Sequence, residues 1–136
     1  DIAKAMLQMC HDLGARVLLA CSSTSSHATH EPDFLIKDLQ KLAMLAVPYG
    51  IRIAYEALSW GRHVSEYPQA WEIVAEADRA NLGLALDSFH MFATGTSREA
   101  LEEMALSSEK VVRILDGQPP RKIIVVPDRL VNLVVS

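Results

Sequence analysis

The 136-residue sequence predicts an α/β fold, a partial (β/α)8 TIM barrel of about four βα units with parallel strands. Short apolar runs of strand length alternate with helix-length segments at intervals of about 30 residues, the length of one strand–helix–strand unit. The runs are continuously apolar, as in parallel strands that are covered on both faces. Two of them end in a carboxylate, at Glu56 and Asp87, which is the strand end where barrels build their sites.

The division of side-chain sizes favours a barrel over an open sheet. Ala54 shares one face of its strand with Glu56, and Gly83 and Ala85 share one face of the next strand with Asp87. The large apolar residues of both strands fall on the opposite face, which we expect to pack on helices. Since a whole barrel needs about 250 residues, we expect the remaining strands to lie outside this chain or to come from another.

The elements of the first half follow in order from apolar periodicity and from helix-end residues. Asp33 is the predicted N-cap of the second helix. The predicted elements are a helix over Ile2–Leu13 that stops at Gly14, a strand over Arg16–Cys21, a loop over Ser22–His30, and a helix that opens at Pro32 and ends at Pro48 and Gly50.

The second half continues the alternation. The predicted elements are a strand over Ile51–Leu58, a loop over Ser59–Tyr67, a helix that starts near Pro68, a strand over Leu82–Phe89, a helix capped by Ser97 that runs to Leu115, and a strand over Lys122–Val126. We predict a barrel domain over residues 1–126 and an atypical tail over 127–136. Because the chain starts at Asp1, inside what looks like a helix, we expect a fragment or a processed chain.

Composition limits the class of partner and the compartment. The net charge is −4 and there is no basic cluster, which argues against nucleic acid. No apolar run approaches the roughly 20 residues that span a bilayer, and no signal peptide is visible. Two cysteines make no disulfide framework, which predicts a reduced, cytoplasmic compartment.

Glu56 and Asp87 are the first candidates for chemistry. Thirty-one residues separate them, and we expect them to end adjacent strands on a shared inward face. Two carboxylates held together repel each other unless a cation lies between them or one is protonated. Oxygen ligands suit Mg²⁺ or Mn²⁺. The alternative is that they are ordinary strand-end acids that cap a loop or pair with Arg62.

Other polar residues lie at the same predicted end. His90 follows Asp87 by three residues and is a candidate to orient it, bind the metal or transfer a proton. Arg62 and His63 lie in the loop after the second strand, where an arginine can bind a carboxylate in fork geometry. Ser22 and Ser23 are candidate substrate contacts or ordinary loop residues.

A zinc site is a weaker alternative. The spacing of Cys10, Cys21, His27 and His30 matches no standard zinc pattern, and Cys10 lies on a predicted helix. We therefore do not expect these side chains to bind zinc together.

Two blocks of sequence, Ile51–Val64 and Leu86–His90, together with Val17–Ser23, closely resemble the 3-dehydroshikimate dehydratases of quinate and shikimate breakdown. These enzymes belong to the xylose isomerase-like barrel superfamily. The resemblance extends over roughly Asp1 to Lys122, and the block around Tyr55 to Gly61 is its most specific part. The acid followed by Asp-x-x-His is shared by the wider superfamily.

The resemblance implies a divalent metal, Mg²⁺, Mn²⁺ or Co²⁺, held by four strand-end ligands, of which Glu56 matches the first and Asp87 the second. His90 matches a histidine beside the substrate. The implied reaction dehydrates a small molecule, 3-dehydroshikimate, to protocatechuate. Arg62 and His63 are then loop residues near the substrate, counted with His90 as catalytic candidates. Ser22, Ser23 and Trp60 are predicted substrate contacts.

The sequence departs from that family at its end. Pro127 stands where the third ligand is expected, and the strand that carries the fourth is missing. Two rivals follow. One is a sugar isomerase or epimerase of the same superfamily, although the Trp60-Gly61 block favours the dehydratase. The other is a non-catalytic half-barrel that folds only by self-association or with a partner segment.

Overall fold

The computed structural model describes residues 2–95, 97–107, 116, 122–126 and 130–134. The chain divides into two compact units, residues 1–85 and 86–136. Each is described by itself below.

The first unit alternates helices and strands. Its elements are α1 (Ile2–Asp12), β1 (Val17–Cys21), α2 (Pro32–Ala46), a single 3-10 turn (Val47–Tyr49), β2 (Arg52–Glu56), α3 (Tyr67–Ala77) and β3 (Leu82–Leu84). The three strands form one parallel sheet in the order β1-β2-β3. The predicted α/β alternation with parallel strands is therefore confirmed over this unit.

The register brings the strand ends side by side. Val17 lies opposite Arg52 at one end of the β1–β2 pair, and Cys21 lies opposite Glu56 at the other. β3 joins the other edge of β2, with Ile53 opposite Leu82. The carboxyl ends of β1 and β2 therefore lie side by side at the same end of the sheet.

The two faces of the sheet differ as the side-chain sizes predict. Ile53, Tyr55 and Leu82 are almost fully buried on the face toward the helices. Burial, and secondarily the charge of nearby Cys21, raises the pKa of the Tyr55 phenol to about 12. On the opposite face, Val17 and Leu19 remain 53% and 50% exposed. The covered face is thus the core of this unit.

Helix ends follow residue chemistry, with one correction. α1 is followed by Gly14 at a φ of +70°, in the left-handed region that favours glycine, as expected. The N-cap position of α2 is Glu31 and not the predicted Asp33, and the Glu31 side chain makes no capping hydrogen bond. Proline has no N–H to donate and its φ is already helical, so Pro32 occupies the first helical position. The residue before it therefore takes the extended cap conformation.

The second unit contains α4 (Ser88–Ala93), α5 (Arg98–Ser107), β4 (Lys122–Val126) and β5 (Leu130–Val134). The predicted third strand over Leu82–Phe89 is too long, because β3 ends at Leu84 and a helix begins at Ser88. Ser97 caps α5 as predicted, and its hydroxyl accepts a hydrogen bond from the Ala100 amide at 3.2 Å. The predicted continuation of that helix over residues 108–115 lies outside the described residues.

The fourth predicted strand exists, but its expected place in a parallel sheet is wrong. β4 pairs antiparallel with β5 in a separate two-stranded sheet. Three residues separate the two strands in the sequence. A connection that short joins antiparallel strands, whereas a parallel crossover needs a dozen residues or more. Within the described ranges, no helix is both long enough and apolar enough to cross a membrane.

Candidate metal centre

Glu56 is the last residue of β2 and is buried, with 8% of its surface exposed. Its main-chain carbonyl accepts a hydrogen bond from the Ser22 amide at 2.8 Å, which extends the β1–β2 pairing by one residue. No lysine or arginine side chain that the structure describes, Arg62 included, forms an ion pair with its carboxylate. A buried carboxylate without a cationic side chain is costly, which favours a ligand role over a loop ion pair.

Cys21 contacts the Glu56 carboxylate directly. Its Sγ donates to Glu56 Oε2 at 3.3 Å. Although Cys21 is exposed overall, partial desolvation of its thiol raises its pKa, and the hydrogen bond to Glu56 and the negative charge of that residue raise it further. The sequence pattern marks Cys21 only as a candidate zinc ligand and does not predict this contact. The signal was available, because both residues end neighbouring strands.

Asp87 lies just past the third strand, where its side chain caps α4. Its Oδ1 accepts a hydrogen bond from the Phe89 amide at 2.8 Å, and the residue is exposed. A carboxylate in this position satisfies one of the free N–H groups of the first helical turn. The capping role that the sequence analysis left open for this acid is thus present, and one carboxylate oxygen makes the cap.

His90 lies on α4 and is buried, with 5% of its surface exposed. Its ring meets the Phe89 ring edge to face at a centroid distance of 5.3 Å. Its main-chain carbonyl accepts from the Thr94 hydroxyl at 3.0 Å near the end of the same helix. A buried histidine is held in a defined orientation, as a proton-transferring group requires.

The loops after β1 and β2 form a tight loop clasp through Ser22, Ser23, Leu58, Gly61 and Arg62. The Ser22 hydroxyl is buried and accepts from the Leu58 amide at 3.0 Å. The Arg62 amide donates to the Ser23 carbonyl at 2.7 Å. A Cβ on Gly61 would lie 2.5 Å from Ser22 Oγ and would collide with the Val64 carbonyl. Close backbone approach therefore requires glycine here.

The remaining predicted site residues lie on or beside this clasp. His63 Nε2 lies 3.0 Å from the Ala28 carbonyl, and its ring tilts against His30 at 6.1 Å. Trp60 is 59% exposed. The structure thus gives Ser22 and His63 partners within the protein, and the substrate roles of these residues stay predictions.

A cavity lies beside the carboxyl end of β1, against Ala20, Cys21 and Ser23. It has a volume of about 260 Å³, and Cys21, Tyr55 and His63 are among the residues that line it.

Cys10 is buried on α1, whereas Cys21 is exposed. Across the described ranges, Cys10, His27 and His30 enter no group of three metal-ligating side chains.

The sequence model of one protein family matches residues 1–133, and that family is the xylose isomerase-like TIM barrel. A match over this much of the chain shows the family, so the chain belongs to the xylose isomerase-like TIM barrel family. The predicted family and barrel class are thereby confirmed. The described part of that barrel contributes three parallel strands to one sheet.

Among individual relatives, the 3-dehydroshikimate dehydratase of Pseudomonas aeruginosa is 48% identical over 118 residues. The match covers 87% of this chain and 18% of that protein. The chain is therefore similar to an enzyme of the predicted class and spans less than a fifth of its length.

A solved structure, of IOLI protein with a binding zinc atom, is similar in both fold and sequence. The TM-score is 0.68 at 33% identity, over 75% of this chain and 38% of that one. That neighbour binds a divalent metal.

A second kind of similarity is short. The leucine–tRNA ligase of Rhizorhabdus wittichii is 65% identical over 40 residues, which is 29% of this chain and 5% of that protein. The chain therefore shares sequence with proteins of two differently named classes.

Proposed function

We propose that the chain supplies metal ligands and a proton-transferring histidine to a metal-dependent 3-dehydroshikimate dehydratase. Burial of Glu56 at the carboxyl end of β2, without a lysine or arginine partner among the described side chains, carries the proposal. The similarity to a dehydratase supports the choice of reaction. Because the chain spans 18% of that relative, the rest of the barrel would come from outside it.

The donor chemistry supports a divalent ion. Glu56 and Asp87 each offer a carboxylate, and oxygen ligands of this kind suit Mg²⁺ or Mn²⁺. The zinc atom of the IOLI neighbour supports a divalent ion more generally. The chain is held beside β2 up to Ala85, whose amide donates to the Tyr55 carbonyl at 2.8 Å. Asp87 follows two residues later. We assign Glu56 and Asp87 as ligands.

The division of chemistry follows from these assignments. A bound divalent ion supplies Lewis-acid polarisation of the substrate carbonyl. The His90 imidazole accepts a proton from the carbon next to that carbonyl. Because His90 is buried, bulk water does not compete with the imidazole for that proton. The loop clasp holds the segment after β1 against the segment after β2, so Cys21 and Glu56 keep their relative positions. Loss of water from the substrate then leads to the aromatic product.

Replacing the ligand carboxylates tests the proposal. We expect Glu56→Gln to weaken Mn²⁺ binding by about 10-fold or more, because removing one charged ligand removes a strong charge-assisted contact. Isothermal titration calorimetry of the chain measures the affinity. Ultraviolet absorbance of protocatechuate, followed with and without the metal, measures turnover of 3-dehydroshikimate.

The matched control is Glu76→Gln, which removes one carboxylate from an exposed position on α3. It should bind Mn²⁺ as the unsubstituted chain does. Equal affinity in Glu56→Gln and Glu76→Gln would contradict the ligand assignment. A sugar isomerase or epimerase would convert a ketose without forming an aromatic product, so the same absorbance separates that alternative.

The cytoplasmic location and the absence of nucleic-acid and membrane partners stay predictions from composition. The proposed substrate is 3-dehydroshikimate, the small molecule named in the name of the Pseudomonas aeruginosa relative. The choice among Mg²⁺, Mn²⁺, Co²⁺ and Zn²⁺ is decided by comparing turnover of 3-dehydroshikimate with each ion, because affinity alone follows the general order of these metals.

A further inference from the structure

We propose that Cys21 is a positioning residue for the metal ligand Glu56, its thiol holding one carboxylate oxygen so that the other is presented to the ion. The inference rests on the proposed function, because it assigns a role beside a ligand. It is carried by the hydrogen bond from Cys21 Sγ to Glu56 Oε2 at 3.3 Å.

The backbone around this contact is held at several points. Cys21 and Glu56 are paired in the β1–β2 register, and both are the last residues of their strands. The next amide, that of Ser22, donates to the Glu56 carbonyl at 2.8 Å. Neighbouring side chains at the same register position share a face of the sheet. Strand pairing therefore brings the thiol to the carboxylate, and the loop clasp holds the segments that follow the two strands.

A glutamate side chain has three rotatable bonds, and fixing them on metal binding costs conformational entropy. The thiol bonds Oε2 before an ion arrives, so part of that ordering is already complete. Carboxylates that bind metals are commonly hydrogen-bonded by outer partners, and losing such a partner costs about 10- to 100-fold in metal affinity or activity.

The experiment compares three cysteine variants of the chain by Mn²⁺ calorimetry. Cys21→Ala removes the donor, and we expect about 10- to 100-fold weaker binding. Cys21→Ser keeps a donor on a shorter bond, so it should recover part of the lost affinity. Cys10→Ala removes the other cysteine, which is buried on α1, and should bind as the unsubstituted chain does.

Circular dichroism during thermal unfolding is recorded on all the variants. A merely structural role for Cys21 would lower the midpoint temperature in Cys21→Ala and leave the Mn²⁺ affinity of the folded chain unchanged. Affinity within about twofold of the unsubstituted chain, measured where Cys21→Ala is folded, overturns the inference. So does equal weakening in the alanine and serine variants.

Failure of the proposed function is recognised separately in Glu56→Gln. If the unsubstituted chain binds Mn²⁺ and Glu56→Gln does not, Glu56 is a ligand, and Cys21→Ala then decides the positioning role alone. If Glu56→Gln binds as well as the unsubstituted chain, Glu56 is not a ligand, and both proposals are overturned.

Discussion

At the scale of single residues, the candidate site depends on groups that are close because of backbone geometry. Gly61 shows this most directly, since a Cβ there would lie 2.5 Å from Ser22 Oγ and 3.0 Å from the Leu58 carbonyl. The Ser22 hydroxyl in turn accepts from the Leu58 amide. A small change at one loop position therefore affects the strand end that carries Cys21.

Gly61→Ala should lower the free energy of unfolding by about 1–3 kcal/mol, the usual cost of forcing extra atoms into a well-packed region. Urea unfolding followed by circular dichroism measures the change. Gly83→Ala is the matched control, because a Cβ at that position would meet nothing within 4 Å. Equal free energies of unfolding in the two variants would show that the loop clasp accommodates the extra Cβ without losing stability.

At the scale of elements, the proposed metal ligand Asp87 is also the N-cap residue of α4. Asp87 caps this six-residue helix, and His90 lies on it. The acid therefore serves local structure and, in our proposal, the metal as well. Apolar residues continue past Leu84, which is why the sequence predicts a longer third strand than the one that forms.

The two roles of Asp87 separate in two substitutions. Asp87→Asn keeps a side-chain oxygen that can accept from the Phe89 amide, whereas Asp87→Ala removes it at a cost of about 0.5–2 kcal/mol. We expect hydrogen exchange of the Phe89 amide to accelerate only in the alanine variant. Mn²⁺ affinity should fall in both, because both lose the charge. If Asp87→Asn binds Mn²⁺ as tightly as the unsubstituted chain, Asp87 is a helix cap and not a metal ligand.

At the scale of the whole molecule, the first unit presents the inward face of a barrel to solvent. Val17 and Leu19 are half exposed on that face. Among the described strands, β1 pairs only with β2, so its other edge has no strand beside it. An exposed strand edge with apolar side chains promotes association. This observation favours the half-barrel alternative, in which the chain assembles with a partner segment or with itself.

We expect light scattering after size exclusion to give a mass above that of one chain at micromolar concentration. Leu19→Glu should reduce that mass, since a charge on the inward face opposes burial. Met44→Glu, which changes an exposed apolar residue on α2, should leave it unchanged. A folded monomer before any substitution would count against obligate assembly.

Much of the fold was readable from local pattern. Apolar runs and their spacing predicted β1, β2, the three helices around them and the parallel pairing. The alternation of side-chain size placed Ile53 and Tyr55 on the covered face and Ala54 on the other. These features depend on near neighbours in the sequence and on the two-residue period of a strand. The position of Glu56 at the end of its strand belongs with them.

By itself, the sequence determined the parallel α/β arrangement, the family resemblance and the identity of the strand-end acids. Only the tertiary structure decided that β4 pairs with β5, that Asp87 caps a helix, and that Cys21 donates to Glu56. The physical reason is that these depend on which groups are brought together across the chain. A carboxylate, a thiol and an apolar strand each have several satisfactory partners, and local sequence does not rank them.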